Sequence, residues 1–170
     1  MNKQHKQTTN DKRGFTIIEV VLVLAIAGLI FLMVFLALPA LQRGQRDTQR
    51  KDDLSRINTQ LQNYQSSNRG SIPSESKLIE AGSGFVTRYL NGPGAQDSAR
   101  QAGGEYVDPT SGEGYRFTTG TVTDIPQGTI NYQTGMLCGT DGDVTNGSGR
   151  QYALRTKLEN QSAYYCIDNR

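Results

Sequence analysis

Residues 13–41 read RGFTIIEVVLVLAIAGLIFLMVFLALPAL. From Phe15 to Leu41, 23 of 27 residues are apolar, and Val20 to Leu38 is 19 consecutive residues with neither a charge nor a hydrogen-bonding side chain. A helix needs about 20 apolar residues to cross a bilayer core. A helix buried in a water-soluble domain normally keeps a polar face, and this run has none. The stretch therefore predicts one membrane-embedded helix. The residues before it set its orientation: Lys3, Lys6, Lys12 and Arg13 stand against Asp11, a net +3 over residues 1–14. Such a cluster stays cytoplasmic and the C-terminal part crosses. A secretory signal would have an apolar region of about 7–15 residues and then a small-residue cleavage site. Here the run is longer, and Pro39 is followed by Ala40-Leu41-Gln42-Arg43.

The rest of the chain is different in kind. The whole has 170 residues, 35% hydrophobic, with a formal net charge of +2. With so many apolar residues spent on one helix, the remainder supports one modest core, and the length excludes a large multidomain enzyme. No Trp, one His and two Cys exclude a multi-cysteine metal framework and a His-rich active site.

Glu19 is the anomaly inside the apolar stretch. A carboxylate at the centre of a bilayer costs roughly 2.5–3.5 kcal/mol on insertion scales. Either Glu19 solvates itself near the headgroups or it awaits a positive partner in a low-dielectric place. Arg13-Gly14-Phe15-Thr16-Ile17-Ile18-Glu19-Val20 followed by the apolar run closely resembles the N-terminus of type IV prepilins and pseudopilins. The resemblance implies that a membrane aspartyl prepilin peptidase cuts between Gly14 and Phe15 and that Phe15 is then N-methylated. Glu19 becomes the fifth mature residue. An ammonium on Phe15 and the Glu19 carboxylate can neutralise each other between subunits in an apolar core where neither is tolerable alone. Gly14, without a side chain, lets the enzyme approach its carbonyl. His5 leaves with the leader, so no Ser/His/Asp set is possible in the mature chain.

Beyond Pro39 the helical pattern resumes. Leu54, Ile57, Leu61 and Tyr64 form one apolar stripe. The charges around it read as a solvated face. Asp47/Lys51 and Asp52/Arg56 are four apart and can pair, whereas Arg46/Arg50 repel. Ser66 to Gly70 reads as the stop, giving a helix from about Phe15 to Ser67, roughly 80 Å long. Gly28 and Pro39 interrupt its first half. Proline removes a helical hydrogen bond, and the pilin resemblance implies that the segment between them can unwind in a filament. Glycine in an apolar helix also serves close helix contact.

From Gly70 the composition shifts, with 16 of the 19 glycines falling there. Ser74–Ala81 and Ser83–Leu90 read as short helical pieces, the second ended by Asn91-Gly92-Pro93-Gly94. Period-two alternation marks strands at Tyr115–Thr118, Thr129–Gln133, Tyr152–Leu158 and Tyr164–Ile167. The expectation is an α+β domain: three or four antiparallel strands packed on the helix stripe, in the type IV pilin arrangement that the resemblance implies. The organisation is then a leader at 1–14, a membrane and filament-core half of the helix at 15–41, an amphipathic half at 42–68, and a head at 69–170. On the resemblance, Cys138 and Cys166 lie outside the cell, where an oxidising compartment favours pairing. A bridge closing about 30 residues is worth roughly 3–4 kcal/mol in the chain-entropy model. The alternative is two free buried thiols. Asp141 to Gly147 superficially matches a calcium loop, with Asp141 and Asp143 as candidate ligands. The match fails at its strict positions, since the glycine is seventh and the twelfth residue is Tyr152 rather than Glu. A polar turn is the other reading, and no metal or other cofactor is expected.

The function that follows is a non-enzymatic pilus subunit for surface motility, attachment or DNA uptake, held in the cytoplasmic membrane before assembly and displayed on the cell surface after it. The implied partners are further copies of the chain in a helical filament, the prepilin peptidase and N-methyltransferase, the inner-membrane assembly machinery, and lipid before assembly. A pseudopilin of a type II secretion system, a minor pilin, and a single-pass anchored binding protein are the alternatives. From Gly70 onward there are 8 Lys/Arg against 11 Asp/Glu, which argues against general nucleic-acid binding by the head. Without the leader the charge falls from +2 to −1, so the basic balance is an address for the membrane.

Overall fold

The computed structural model describes residues 14–92 and 101–170. The leader, apart from Gly14, and the Pro93-Gly94 part of the expected stop lie outside the described residues. The chain divides into two compact units, the first ending at Ala40 and the second running from Leu41 to Arg170.

Helix α1 spans Ile17–Ser67 and runs through Gly28 and Pro39 without a break. Thr16 caps it, its Oγ1 accepting from the Glu19 N–H at 3.4 Å. The first unit holds no core. All 19 large apolar side chains from Phe15 to Leu41 are exposed, and the segment is long and apolar enough to cross a membrane. Nothing among the described residues covers it. At its other end α1 stops where the sequence reading placed the stop. The Asn68 side chain donates to the Tyr64 carbonyl at 2.8 Å and the Gly70 N–H donates to the Gln65 carbonyl at 2.8 Å. Gly70 adopts φ +79°, a backbone that a side chain would strain.

In the second unit Leu54, Ile57 and Leu61 are fully buried. They share a core with Leu78 from α2 (Glu75–Leu78) and with Phe85 and Val86 from α3 (Phe85–Tyr89). Both helices are shorter than the sequence pattern suggested. The sheet side of that core is Phe117, Ile130, Tyr132, Tyr152 and Leu154, the inward residues of three alternating strands.

The sheet has four strands, β1 (Arg116–Thr119), β2 (Thr129–Thr134), β5 (Tyr152–Lys157) and β6 (Tyr164–Asp168), in the order β1-β2-β5-β6. All four fall where the alternation put them. β5 pairs antiparallel with β2 and with β6, but β1 pairs parallel with β2, Phe117 opposite Ile130. The expectation of a wholly antiparallel sheet fails at this one pair. Parallel neighbours usually need a crossover of a dozen or more residues. Here β1 has only four residues, about 13 Å at 3.3 Å each, so the segment 120–128 suffices to return the chain.

That crossover changes the second face of the sheet. Asn131 and Gln133, which alternate with Ile130 and Tyr132 along β2, are both buried. Their side-chain amides donate to the Gly120 carbonyl at 3.0 and 2.8 Å, and Ile125 on the crossover is buried. Polar residues occupy this face because they hold the segment that covers it.

A hairpin missed in the sequence adds β3 (Met136–Cys138) and β4 (Val144–Asn146), paired antiparallel. Three residues are too few for period-two alternation to register. A 3₁₀ turn at Thr140–Gly142 joins them. Gly142 has φ +77°, and a Cβ there would run into the Tyr164 backbone on β6. The Cys138–Cys166 disulfide ties this hairpin to β6, and nearby the Asp168 carboxylate accepts from the Cys138 N–H at 2.8 Å.

Candidate processing and assembly site

Gly14 and Phe15 precede the first turn of α1, outside regular secondary structure. A Cβ at Gly14 would meet nothing within 4 Å, and the same holds for Gly28 inside the helix. The fold therefore does not require glycine at either position; a requirement would come from a molecule outside this chain. Phe15 is 84% exposed. Phe15, Glu19, Val20, Val23 and Leu24 line one groove along a single helix face, as offsets of four, five, eight and nine dictate. Glu19 lies in the first turn, where the unsatisfied N–H groups carry partial positive charge. That position moderates the carboxylate's cost but supplies no full counter-charge.

The charges on the C-terminal half of α1 are a second feature: Arg43, Asp52 and Arg56 are exposed, as a solvated face requires, but Asp47, Arg50 and Asp53 are buried. The Arg50 side chain is completely buried. Its Nε donates to Asp108 at 2.8 Å, Nη1 to Glu159 at 2.9 Å and to Asp47 at 3.1 Å, and Nη2 to the Thr110 hydroxyl at 2.6 Å. Arg46 closes on Glu159, with Nε to Oε1 at 2.8 Å. Asp47 does not pair with Lys51; it accepts the backbone N–H groups of Glu159 and Asn160 at 2.8 and 3.0 Å. The apparent repulsion between Arg46 and Arg50 is resolved by Glu159, which both of them hold. The cluster fastens α1 to two loops of the head.

Electrostatics follow from the contacts. The hydrogen bond from Arg46 leads in holding Glu159 down to about 2, against the opposing effect of burial. Burial would raise Asp108, but hydrogen bonds from Arg50 and the Thr110 and Ser111 amides outweigh it and hold that carboxyl low. Asp53 goes the other way. Burial pushes it up, although the Tyr115 hydroxyl donates to it at 3.0 Å.

Cys138 and Cys166 are joined, so the free-thiol alternative is excluded. Asp141 and Asp143 sit at the 3₁₀ turn and its exit. Among the described residues no group of three His, Cys, Asp or Glu side chains forms a metal cluster.

Residues 9–35 match the family model described as the prokaryotic N-terminal methylation motif. The chain carries a prepilin-type N-terminal methylation motif. No curated protein and no solved structure matches it. The prepilin-type motif covers Gly14, Phe15, Glu19 and Gly28 and leaves the head unmatched. With it, the long N-terminal helix, the antiparallel-rich sheet and the disulfide fit a type IV pilin or pseudopilin. The motif implies processing by a prepilin peptidase and filament assembly, and it suggests a structural protein. Together with the exposed apolar helix it fits membrane anchoring before assembly.

Proposed function

We propose that this chain is the structural subunit of a type IV pilus, an extracellular filament serving motility, attachment or DNA uptake. The observation that carries the proposal is the methylation motif on an apolar helix that no other described residue covers. Such a surface is stable in lipid or among copies of itself, and exchange of one for the other is the assembly step. Prepilin peptidase cuts between Gly14 and Phe15, releasing residues 1–14, and Phe15 is N-methylated. Residues 15–41 form the membrane and filament-core half of the helix, residues 42–68 the half that carries the head, and residues 69–170 the head. The Phe15 amine then pairs with Glu19 of a neighbouring subunit, which removes two unpaired charges from the apolar core and sets the axial register. Pro39 has no N–H to give the Phe35 carbonyl, so the stretch from Gly28 to Pro39 is where the helix unwinds on packing.

The competing assignment is a pseudopilin of a type II secretion system. The disulfide-stapled C-terminal region supports an exposed pilus subunit, and Glu19 supports a subunit of the shaft over one at the tip. The test is electron microscopy of surface appendages with N-terminal sequencing of their main component. The expected result is long surface filaments whose main protein begins with N-methylated Phe15. Filaments lacking this chain, or a chain that keeps Gly14, would overturn the assignment.

A further inference from the structure

At the C-terminal end of α1 the second unit has a cleft of about 380 Å³, within the range of small-molecule sites, roughly 300–1,000 Å³. It lies between the last turn of α1 and the segment carrying α2 and α3. Lys77 and Arg88 reach it from the α2–α3 side, with Ser83 between them in sequence, and Tyr64, Ser67 and Tyr89 complete most of the wall. Among the described residues no carboxylate lines it.

The side chains of these six residues make no hydrogen bond or ion pair among the described residues. Elsewhere on this unit Arg46, Arg50, Arg56, Arg116, Lys157 and Arg170 each hold a carboxylate, while Arg43, Lys51, Arg69, Arg150 and Arg155 hold none among the described residues but do not line this cleft. Two cationic and four hydroxyl-bearing residues therefore line one concavity, with no side-chain partner among the described residues. The tyrosines are held in place. Tyr64 packs edge-on against Tyr89 at 5.6 Å between ring centres, and Tyr89 stacks on Phe85 at 5.2 Å. The carbonyls of Tyr64 and Gln65, which would repel an anion at a helix end, already accept from Asn68 and Gly70.

We infer that this cleft binds an acidic sugar unit, with its carboxylate on Lys77 and Arg88 and its ring against Tyr64 and Tyr89. A guanidinium and an ammonium together select an oxyanion. The serine and tyrosine hydroxyls match a polyhydroxylated body, and the half-buried tyrosine rings offer its C–H face an apolar surface. A bare phosphate would leave the hydroxyls and rings unused. A nucleic acid would need a longer basic track than two cations supply. The inference concerns the head alone and does not depend on the assembly reading.

The test uses the full chain in detergent micelles, with titration calorimetry against four probes: a glucuronate-terminated disaccharide, its glucose-terminated counterpart, inorganic phosphate and a short DNA duplex. The acidic disaccharide should bind, and the neutral one at least tenfold more weakly. The double variant Lys77→Gln with Arg88→Gln should lose at least tenfold in affinity while its unfolding midpoint stays unchanged, because neither side chain has a hydrogen-bond or ion-pair partner among the described residues. Failure of the acidic disaccharide to bind, equal binding of the neutral one, or undiminished binding by the double variant would overturn the inference. Displacement by equimolar phosphate, or tighter binding of the duplex, would overturn it as well.

Discussion

Replacing Arg50 by Met tests the buried cluster that joins α1 to the head. Methionine fills much of the arginine volume but supplies no donor. The variant leaves Asp108 2% exposed and Glu159 11% exposed without their shared guanidinium, and removes a 2.6 Å bond to Thr110. Breaking a buried ion pair by deleting one partner costs about 3–5 kcal/mol, because the remaining charge stays desolvated. For a unit of this size that lowers the unfolding midpoint by roughly 10–25 °C. All eight tyrosines lie between Tyr64 and Tyr165 and there is no tryptophan, so near-ultraviolet circular dichroism follows the head while the apolar helix stays silent. The pH dependence supplies a second readout. Glu159 and Asp108 titrate below their ordinary values in the fold. The stability they lend is fully present above their unfolded values, near pH 4, and is lost as pH falls through the folded ones. The wild-type chain should therefore lose stability between about pH 4.5 and pH 2, and the cost of Arg50→Met should shrink over the same window. A cost below about 1 kcal/mol, the usual worth of a surface pair, or one independent of pH, would refute the reasoning.

Three further outcomes follow. Gly14→Val should leave uncut precursor, seen by mass spectrometry of the N-terminus, with the head's melting unchanged, since the space around Gly14 is open; normal cleavage would show that the residue is not read there. Glu19→Ala should leave processing intact but cut filament yield severely, scored by counting filaments in micrographs, and normal filaments would remove the Phe15–Glu19 pairing. Cys138→Ser with Cys166→Ser should cost about 2–5 kcal/mol in chemical unfolding, and an unchanged midpoint would mean that the hairpin and β6 hold together without the bridge.

What the sequence made legible was what its local periods encode. The apolar run, the stripe Leu54, Ile57 and Leu61, the stop at Gly70 and four strands were all readable from spacing, and the structure has them in place. What escaped depended on partners distant in the chain. Arg50 was weighed against Arg46, four residues away, whereas its buried partners stand 58 and 109 positions later. The direction of β1 relative to β2 escaped for a related reason. Alternation shows that a strand exists but not which way its neighbour runs, and the glycines at 120 and 128 looked like hairpin punctuation. One signal was available: Asn131 and Gln133 are amides with specific bonding demands inside a strand, and both answer to Gly120.

The two units solve opposite problems with the same helix. From Phe15 to Leu38 the large apolar side chains are all exposed, which suits a surface that exchanges lipid for protein neighbours. Beyond Leu41 the helix cannot be allowed to peel from the head, and an apolar stripe of three or four residues is a short zipper for that task. Each buried apolar side chain contributes about 1.5–3 kcal/mol, but that contact is non-directional and would tolerate rotation about the helix axis. Arg50 does not tolerate it. Its five N–H donors have fixed directions, and Asp47, Asp108, Thr110 and Glu159 meet three of its nitrogens at once. Rotation by even one residue, about 100°, would break the bonds to Asp108, Thr110 and Glu159 while leaving a desolvated charge. The cluster thus sets the rotational register of head on helix, and the apolar stripe supplies most of the adhesion. A register fixed this way is what identical subunits need if each must present the same face to its neighbours.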